Sequence, residues 1–402
     1  MIPARRNRYR RLPVALCGAA LLLLALALPT AAGADGDRAQ ASIINGHGAT
    51  IEEFPSLAYI EAQEGHSGFA CTGTVVAPRV ILTAAHCAED IEKGSFTAAG
   101  NYAIATGTAT PSKSRRENVF GVTATHVFPG FDPGALRGDA AILILDRPTA
   151  APPIALAGPA DAPFYAGGAA IQLAGWGLTG ANAVKGPETL RATSMTVQSP
   201  AACEQKTKRY YEPFSSDVQF CTLDAPAKKS GGCFGDSGGP GIGQRADGTP
   251  VELGVISTGG PFCNTKFPNV LTRVDTVSTW VGEWIAATET GGPAPLTPGG
   301  PLPQMTRSTA ELFAVYTLQN HFGRAFERSS EVFGSCRQAS RSRFKCEIAF
   351  RSGRNLYAGN VTPSYVRRQG TTAWQSHFRI EWAPVKCLRS KAARCPIHSR
   401  HG

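Results

Sequence analysis

The chain has 402 residues, with 43% hydrophobic and 17% charged side chains and a formal net charge of +10. This length exceeds what one hydrophobic core usually organises, so we expect at least two domains. The globular composition, without heptads or internal repeats, excludes a disordered, collagen-like or coiled-coil protein.

The first 34 residues have the pattern of a secretory signal peptide. Five arginines in MIPARRNRYRRLP precede the apolar run VALCGAALLLLALALP, and small residues follow at 32–34. A membrane anchor is the alternative, but this run is short compared with the roughly 20 residues that a membrane span needs. We therefore expect residues 1–34 to be removed and the protein to be secreted into the extracellular medium.

The cysteines indicate disulfides. Of eleven, Cys17 lies in the signal peptide, which leaves an even number for an exported chain. The sequence has no C-x-x-C pair and no histidine-rich cluster. We therefore expect neither a metal site nor a cofactor.

A proline- and glycine-rich segment, ETGGPAPLTPGGPLPQ at 289–304, divides the rest of the chain and reads as a linker. The charge changes across it. Residues 305–402 hold 17 basic and 5 acidic residues, whereas residues 43–304 hold 17 basic and 23 acidic ones. The positive charge therefore belongs to the C-terminal segment.

Residues 43–287 read as an all-β body. Short apolar stretches such as GTVVAP, VILTAA, AAILIL and LGVIST are separated by turn residues without helical patterns between them, which favours a barrel or a sandwich. A terminal helix is predicted by the spacing of five apolar residues, Val274, Val277, Val281, Trp284 and Ile285.

The segment 305–402 is predicted to be a small α+β domain. Ser308 followed by Glu311 forms a capping-box pattern at the start of a helix. The stretches FKCEIAFRS, NLYAGNVTPSYV and SHFRIEWAPV have the character of strands. We expect a helix packed on an antiparallel sheet.

The stretch GGCFGDSGGP at 231–240 places an Asp and a Ser among five glycines, and such residues are common in turns. Acyl transfer by a serine requires a base, a group that orients the base, and donors for the oxyanion. His86 in LTAAHC and Asp139 in RGDAAILIL are candidates for the first two roles. Each alone would be an ordinary residue at a strand end, but in the order His, Asp, Ser they indicate a catalytic triad with Ser237.

Five motifs in order make residues 43–290 resemble the trypsin/chymotrypsin family of serine endopeptidases: IINGHGATIEEFPS, TAAHC, DAAILIL, AGWG and GDSGGP. The resemblance implies an all-β fold of two six-stranded antiparallel barrels of the chymotrypsin type, followed by a C-terminal helix. We expect a monomer that acts on a protein or peptide substrate without a cofactor. The expected organisation is a signal peptide (1–34), a short propeptide (35–42), the protease domain (43–288), the linker (289–304) and a basic α+β domain (305–402).

The resemblance assigns a role to each catalytic residue. Ser237 is the nucleophile, His86 is the general base and then the acid, and Asp139 is the buried anion that holds the imidazole. The backbone N–H groups of Gly235 and Ser237 form the oxyanion hole. The glycines around the nucleophile allow a tight bend there.

By the same resemblance, cleavage before Ile43 frees an amine that pairs with Asp236 and orders the oxyanion loop. The uncut precursor would then lack a properly formed site. Ser42, and not Arg or Lys, precedes Ile43, which argues against activation by a cut of the tryptic kind.

Pairings of the cysteines follow partly from the resemblance and partly from nearness in sequence. The resemblance implies Cys71–Cys87, Cys203–Cys221 and Cys233–Cys263. After the linker, the local pairs Cys336–Cys346 and Cys387–Cys395 are the simplest arrangement, although sequence alone does not fix connectivity.

The specificity pocket departs from trypsin. Trypsin-like members carry an Asp six residues before the nucleophile, where this chain has Gly231, followed by Gly232. An unpaired ammonium in such a pocket is unfavourable, so we expect no strong preference for Lys or Arg. The resemblance places Ser257 and Gly259 along the substrate backbone. Asn269 would narrow the pocket or offer a polar contact, so we favour apolar or medium-sized substrate residues.

The basic C-terminal segment has two interpretations: it attaches to an anionic surface or polymer, or it is a solvated basic face. Its aromatic residues either stack on a ligand or form its core: Tyr357, Tyr365, Trp374 and Trp382. For the whole chain, the alternative to an endopeptidase is a catalytically inactive protease-fold binding protein that works through this segment. An esterase is less consistent, because the serine motif lacks the strand-turn-helix setting of the nucleophile elbow.

Overall fold

The computed structural model describes most of the chain after residue 42, namely 43–64, 67–91, 93–180, 183, 186, 188–208, 214–292, 294–295, 301–385 and 397–402. The predicted signal peptide, the propeptide and the Cys387–Cys395 pair lie outside these residues. Within the described ranges, no helix is both long and apolar enough to span a membrane. Residues 43–292 are called the barrel part below, and residues 301–402 the C-terminal part.

The barrel part consists mainly of short strands. In chain order they are β1 (His47–Gly48), β2 (Leu57–Glu64), β3 (Ser67–Ala77), β4 (Val80–Thr83), β5 (Glu89–Asp90), β6 (Ser95–Phe96), β7 (Tyr102–Thr106), β8 (Val119–Val127), β9 (Ala141–Leu145), β10 (Ala155–Leu156), β11 (Ala170–Gly175), β12 (Arg191–Val197), β13 (Gln219–Leu223), β14 (Pro240–Gln244), β15 (Pro250–Thr258) and β16 (Asn269–Arg273).

These strands form two closed barrels. The first has the order β2-β3-β4-β9-β8-β7, and β7 pairs back onto β2. The second has the order β12-β11-β14-β15-β16-β13, and it closes because β13 also pairs with β12. All pairs within both barrels are antiparallel. The predicted fold of two six-stranded antiparallel barrels is confirmed.

One hydrophobic core joins the two barrels, with Ile81 and Leu143 from the first and Leu173 and Leu271 from the second. Every residue of β4 and β9 is buried, as expected for strands that are apolar along their whole length. Each fully buried Leu or Ile contributes about 1.5–3 kcal/mol relative to exposure. The catalytic candidates His86 and Asp139 lie at the ends of these two strands, so this core fixes their positions.

Helices are few in the barrel part: α1 (Pro200–Thr207) and α2 (Ser278–Thr290). The predicted terminal helix is confirmed, although Val274 lies in a 3₁₀ turn just before it. The short 3₁₀ helices are Ala85–Cys87, Ala99–Asn101, Pro111–Lys113, Arg116–Asn118, Pro159–Ala166, Pro261–Cys263 and Val274–Thr276.

The C-terminal part is a helix packed on an antiparallel sheet, as predicted. Its helices are α3 (Arg307–Phe322) and α4 (Arg324–Glu327), and its strands are β17 (Glu331–Ser340), β18 (Arg343–Ser352), β19 (Asn355–Arg368), β20 (Thr371–Pro384) and β21 (His398–His401). The strands pair in chain order. Strands β17 and β21 were not predicted from the sequence.

The predicted helix cap is wrong by two residues. The N-cap of α3 is Thr306, whose hydroxyl accepts a hydrogen bond from the Thr309 N–H at 3.1 Å. Ser308 therefore lies in the first turn of the helix and does not start it. Either hydroxyl can serve as a cap, and the sequence pattern alone did not distinguish between them.

The aromatic residues of the C-terminal part build its own core. Phe313 of α3 stacks on Trp374 with ring centroids 4.5 Å apart, and it meets Tyr365 edge to face. Tyr357, Tyr365 and Trp374 are buried. These aromatics therefore belong to the core, which was one of the two interpretations of the sequence.

The C-terminal part is held on two loops of the barrel part. The Trp374 indole donates to the Ile91 carbonyl at 2.6 Å, and Arg368 donates to the Gly94 carbonyl at 2.8 Å. The Tyr365 hydroxyl donates to Asp132 Oδ1 at 2.6 Å. One of these loops follows His86 in the chain, and the other precedes Asp139, so the contacts lie close to the catalytic candidates.

Candidate active site

A cleft of about 1050 Å³ brings most of the predicted site residues together. His86 and Ser237 line it, and so do four residues assigned to substrate binding: Gly232, Ser257, Gly259 and Asn269. A second cavity of about 750 Å³ is lined by none of the predicted site residues. The chemistry indicated by the sequence therefore belongs to the larger cleft.

His86 is held by a buried carboxylate. It lies in the 3₁₀ turn Ala85–Cys87 that follows β4. Its ring Nδ1 lies 2.7 Å from Asp139 Oδ2, and its backbone N–H donates to Asp139 Oδ1 at 3.0 Å. Because the carboxylate accepts at Nδ1, the proton of the neutral ring lies there and the lone pair lies on Nε2.

Asp139 has a third donor that the sequence did not reveal. The Ser257 hydroxyl donates to Asp139 Oδ2 at 2.5 Å, and Asp139 is completely buried. Three donors compensate the desolvation of this carboxylate. Ser257 comes from β15 of the second barrel, far away in sequence, so no local pattern could identify this contact.

The pKa of the His86 imidazole reflects two opposing effects. Burial lowers it, whereas the negative charge of Asp139 and its hydrogen bond raise it, and the result lies above the ordinary value of 6.5. The carboxylate therefore stabilises the imidazolium that forms when His86 accepts a proton.

The glycines around Ser237 are required by backbone geometry. Gly235 and Gly238 have φ values of +95° and +81°, which favour glycine. A side chain at Gly238 would begin 2.0 Å from Thr83 Oγ1 and 2.3 Å from the Thr72 carbonyl oxygen. The loop before β14 can therefore bend this tightly only without side chains.

Two amides near the nucleophile remain available for a ligand. Within the described residues, the N–H groups of Gly235 and Ser237 have no protein acceptor. The carbonyls of the same residues are bound, by the Thr72 hydroxyl at 2.9 Å and the Thr72 N–H at 2.8 Å. The loop is thus fixed by its carbonyl groups, while these two donors stay free.

Asp236 and Ile43 are both completely buried. The carboxylate of Asp236 accepts from the N–H groups of Gly177 at 2.8 Å and Cys233 at 2.9 Å. Burial raises the pKa of Asp236 to about 7, although these two amides oppose the rise. Ile44 forms a bridge with Gly231, which holds the segment around Ile43 beside the loop of Asp236.

Disulfides fix the loops around the cleft. The structure contains Cys71–Cys87, next to His86, and Cys233–Cys263, whose two residues line the cleft. It also contains Cys203–Cys221, and Cys336–Cys346 between neighbouring strands of the C-terminal part.

Asn269 lines the part of the cleft that the sequence predicts to be the specificity pocket. Its Oδ1 accepts from the Gly232 N–H at 3.0 Å, and a side chain at Gly259 would begin 2.6 Å from its Nδ2. A side chain at Gly231 would begin 3.0 Å from Asn269 Oδ1. The Asn269 amide thus lies between Gly231 and Gly259. This part of the cleft is therefore narrower than it would be with glycine at position 269.

Glu89 is a further acidic residue of the cleft that the sequence did not single out. It lines the cleft, and only 1% of it is exposed. Burial raises its pKa to about 8. Arg368 of the C-terminal part opposes this rise, and the charges of Asp139 and Asp90 add to it. The C-terminal part therefore contributes to the electrostatics beside His86.

Known proteins match the barrel part. The family profile described as Trypsin matches residues 43–281. Trypsin beta of Drosophila erecta is 26% identical over 240 residues, which cover 60% of this chain and 87% of that protein. CLIP domain-containing serine protease B10 of Anopheles gambiae is 30% identical over 258 residues, which cover 60% of this chain and 68% of that protein.

Two closed barrels, with His86 and Ser237 lining one cleft and the buried Asp139 bound to His86, are typical of a serine hydrolase. Because the profile matches more than half of the chain, this protein belongs to the trypsin family. It is a serine-type endopeptidase. The match ends at residue 281 and so does not include the C-terminal part.

Replacing Asp139 by Asn should lower the pKa of His86. The value should change from above 6.5 to below it, because burial would then act without the opposing charge. An NMR titration of the histidine ring nitrogens, in a Ser237→Ala background that stops self-digestion, measures this change.

The control is Asp161→Asn, which removes a buried carboxylate paired with Arg245 in the second barrel. It should leave the His86 titration unchanged. An equal His86 pKa in the Asp139→Asn and parent proteins would show that the charge of Asp139 does not raise this pKa.

Proposed function

We propose that this secreted endopeptidase cuts proteins through an acyl-enzyme formed on Ser237. The observation that carries the proposal is the 2.7 Å contact between the buried Asp139 and His86, which lines the same cleft as a serine on a glycine-restricted loop. The four disulfides of the described chain fit an oxidising, extracellular environment.

In the first half-reaction, His86 Nε2 takes the proton of the Ser237 hydroxyl while Oγ bonds to the substrate carbonyl carbon. The carbonyl oxygen becomes an oxyanion, which the N–H groups of Gly235 and Ser237 bind. His86 then gives its proton to the leaving amine as the peptide bond breaks. Asp139 stays ionised throughout and stabilises the imidazolium.

In the second half-reaction, water repeats these steps. His86 takes a proton from water, the hydroxide attacks the acyl carbon, and the proton returns to Ser237 Oγ as the ester bond breaks. Atoms and charges balance over the cycle, so no cofactor is needed.

Activation follows from the burial of Asp236. Within the described residues, no cationic side chain contacts this carboxylate, and its pKa of about 7 reflects that. A protonated amine at Ile43, freed by cleavage after Ser42, would supply the missing positive charge. We infer that this ion pair holds the adjacent Gly235 and Ser237 amides in position.

Active protein from the culture medium should react with a fluorophosphonate probe and should begin with Ile-Ile-Asn-Gly. The Ser237→Ala variant should not react, and its peptide hydrolysis should fall by about 10⁶-fold. Labelling on gels and N-terminal sequencing measure both outcomes.

Unlabelled wild-type protein would favour the alternative, an inactive binding protein with a protease fold. A labelled protein that begins upstream of Ile43 would contradict the activation step.

The pocket supports a preference for small or medium-sized uncharged residues before the cut bond. Gly231 and Gly232 bring no carboxylate to it, and Asn269 crosses it. Burying an unpaired ammonium there would cost several kcal/mol. Ser257 and Gly259 lie along the same cleft and would pair with the substrate backbone.

Peptides that vary only in the residue before the cut bond test this preference. Cleavage after Ala, Val or Leu should be at least about 10-fold more efficient than after Arg. The Asn269→Gly variant, which opens the pocket, should gain activity toward Phe. Fast cleavage after Arg, or an unchanged Phe rate in the variant, would refute this account of the pocket.

The outer face of the C-terminal sheet supports a second role, attachment to an anionic polymer. Core residues such as Phe344 and Phe350 alternate along β18 with Lys345 and Arg351 on the opposite face. Arg337 is paired with Lys345 across the two strands. Adjacent positive charges of this kind attract polyanions.

Binding to dextran sulfate, with neutral dextran for comparison, tests this role. The double variant Arg337→Glu, Arg351→Glu should bind severalfold more weakly, and binding of the parent should weaken with salt. A control with the same change in net charge, Arg115→Glu, Arg116→Glu on the barrel part, should bind like the parent. Absence of parent binding at low salt would show that the basic face is only solvated.

A further inference from the structure

The trypsin-family residues do not build the substrate cleft alone. Four residues of α3 in the C-terminal part line the same cavity as His86 and Ser237: Ser308, Thr309, Leu312 and Tyr316. Their spacing places them along one side of the helix. Residues on another side of α3, including Phe313 and Leu318, pack in the core of the C-terminal part. The helix therefore has one face in a core and another on the cleft.

Close contacts fix α3 at this position. A side chain at Gly134 would begin 2.2 Å from Thr309 Cγ2 and 2.4 Å from the Tyr365 hydroxyl oxygen. Thr309 is 4% exposed, and Tyr365 donates to Asp132 at 2.6 Å. The helix is thus packed directly on the loop that precedes Asp139.

The position of Asp139 indicates which region of the cleft α3 borders. Ser257, at the start of the edge that would pair with the substrate backbone, donates to Asp139 at 2.5 Å. Leu136, three residues before Asp139, also lines the cleft. The loop before Asp139, on which α3 packs, therefore lies beside the Ser257–Gly259 edge. The substrate residues before the cut bond would bind along this edge.

The part of the cleft that α3 borders contains apolar side chains. Leu312 is 38% exposed, although it lies between the buried residues Ala310 and Phe313. Ile91, which packs against the core of the C-terminal part, lines the same cleft. An exposed leucine and a second apolar residue that line the same concave site favour an apolar ligand group.

We propose that α3 forms an additional substrate subsite, and that Leu312 is its specificity-determining residue. The subsite selects an apolar side chain at one of the second to fourth substrate residues before the cut bond. This inference rests on the proposed use of the cleft as the active site.

The test compares the full-length secreted protein with Leu312→Ala and with Val315→Ala. Val315 lies on the same helix and is equally exposed, at 38%, but does not line the cleft. The substrates are internally quenched peptides that all have the same residue immediately before the cut bond. They carry either Leu or Ala at the second, third or fourth residue before that bond. The readout is the ratio of kcat/KM for the Leu and Ala peptides.

At one of these positions the wild type should prefer Leu, and Leu312→Ala should reduce that preference by about 10-fold. Val315→Ala should keep the wild-type ratio. A short ester substrate that reaches only the specificity pocket should be cleaved equally by all three proteins.

Equal ratios in the wild type and Leu312→Ala at every position would overturn the inference. So would a general gain of activity in Leu312→Ala on all peptides, because α3 would then obstruct the cleft. Fluorophosphonate labelling of the three proteins distinguishes a failure of the subsite inference from a failure of the proposed function. Labelled proteins with equal preferences refute only the subsite, whereas unlabelled wild-type protein refutes the proposed function as well.

Discussion

The structure depends on the buried carboxylate of Asp139, whose three hydrogen-bond donors come from both barrels. His86 follows β4 of the first barrel, and Ser257 lies in β15 of the second. Their contacts at 2.7 and 2.5 Å converge on the same oxygen. Removing one donor from a buried carboxylate costs about 1–3 kcal/mol or more. Satisfying this charge thus contributes to the relative position of the barrels, which their shared hydrophobic core also fixes.

A second buried carboxylate shapes the neighbouring loop in a different way. Among the residues that the structure describes, Asp236 has two amide donors and no cationic partner, and burial raises its pKa to about 7. Among the described residues, Asp139 accepts from two side chains and one backbone amide, whereas Asp236 accepts from two backbone amides. This difference fits the proposal that an amine freed at Ile43 supplies the charge partner of Asp236.

Local signals predicted the strands of an all-β body and the candidate residues His86, Asp139 and Ser237, whereas the two barrels and the role of each candidate were predicted from the resemblance of five motifs to the trypsin family. Apolar runs such as AAILIL define buried strands, and two glycines of GDSGGP, Gly235 and Gly238, have the positive φ values that favour glycine. The contacts that were missed are long-range. Ser257 meets Asp139 across 118 positions in sequence, and neither residue has a neighbour pattern that indicates the other.

The structure differs from the sequence-based prediction at two other places, the start of α3 and strand β17, for different reasons. The start of α3 was misplaced because Thr306 and Ser308 are both good caps, and the helix selects the one whose hydroxyl reaches the Thr309 amide. Strand β17 was missed because its sequence EVFGSCRQAS contains few apolar residues. It is a strand because it pairs with β18 along its length, so tertiary pairing and not intrinsic propensity decides its conformation.

The C-terminal part and the barrel part act on the cleft as one unit, although the family match ends before the C-terminal part begins. Trp374 binds the Ile91 carbonyl, five residues after His86, and Tyr365 binds Asp132, seven residues before Asp139. Both aromatic residues pack on Phe313, so the two loops share one aromatic core. Because such cores are close-packed, a change in the packing of Phe313 would displace both loops together. The residues that position the catalytic pair therefore extend beyond the barrels into a segment whose sequence lies outside the trypsin match.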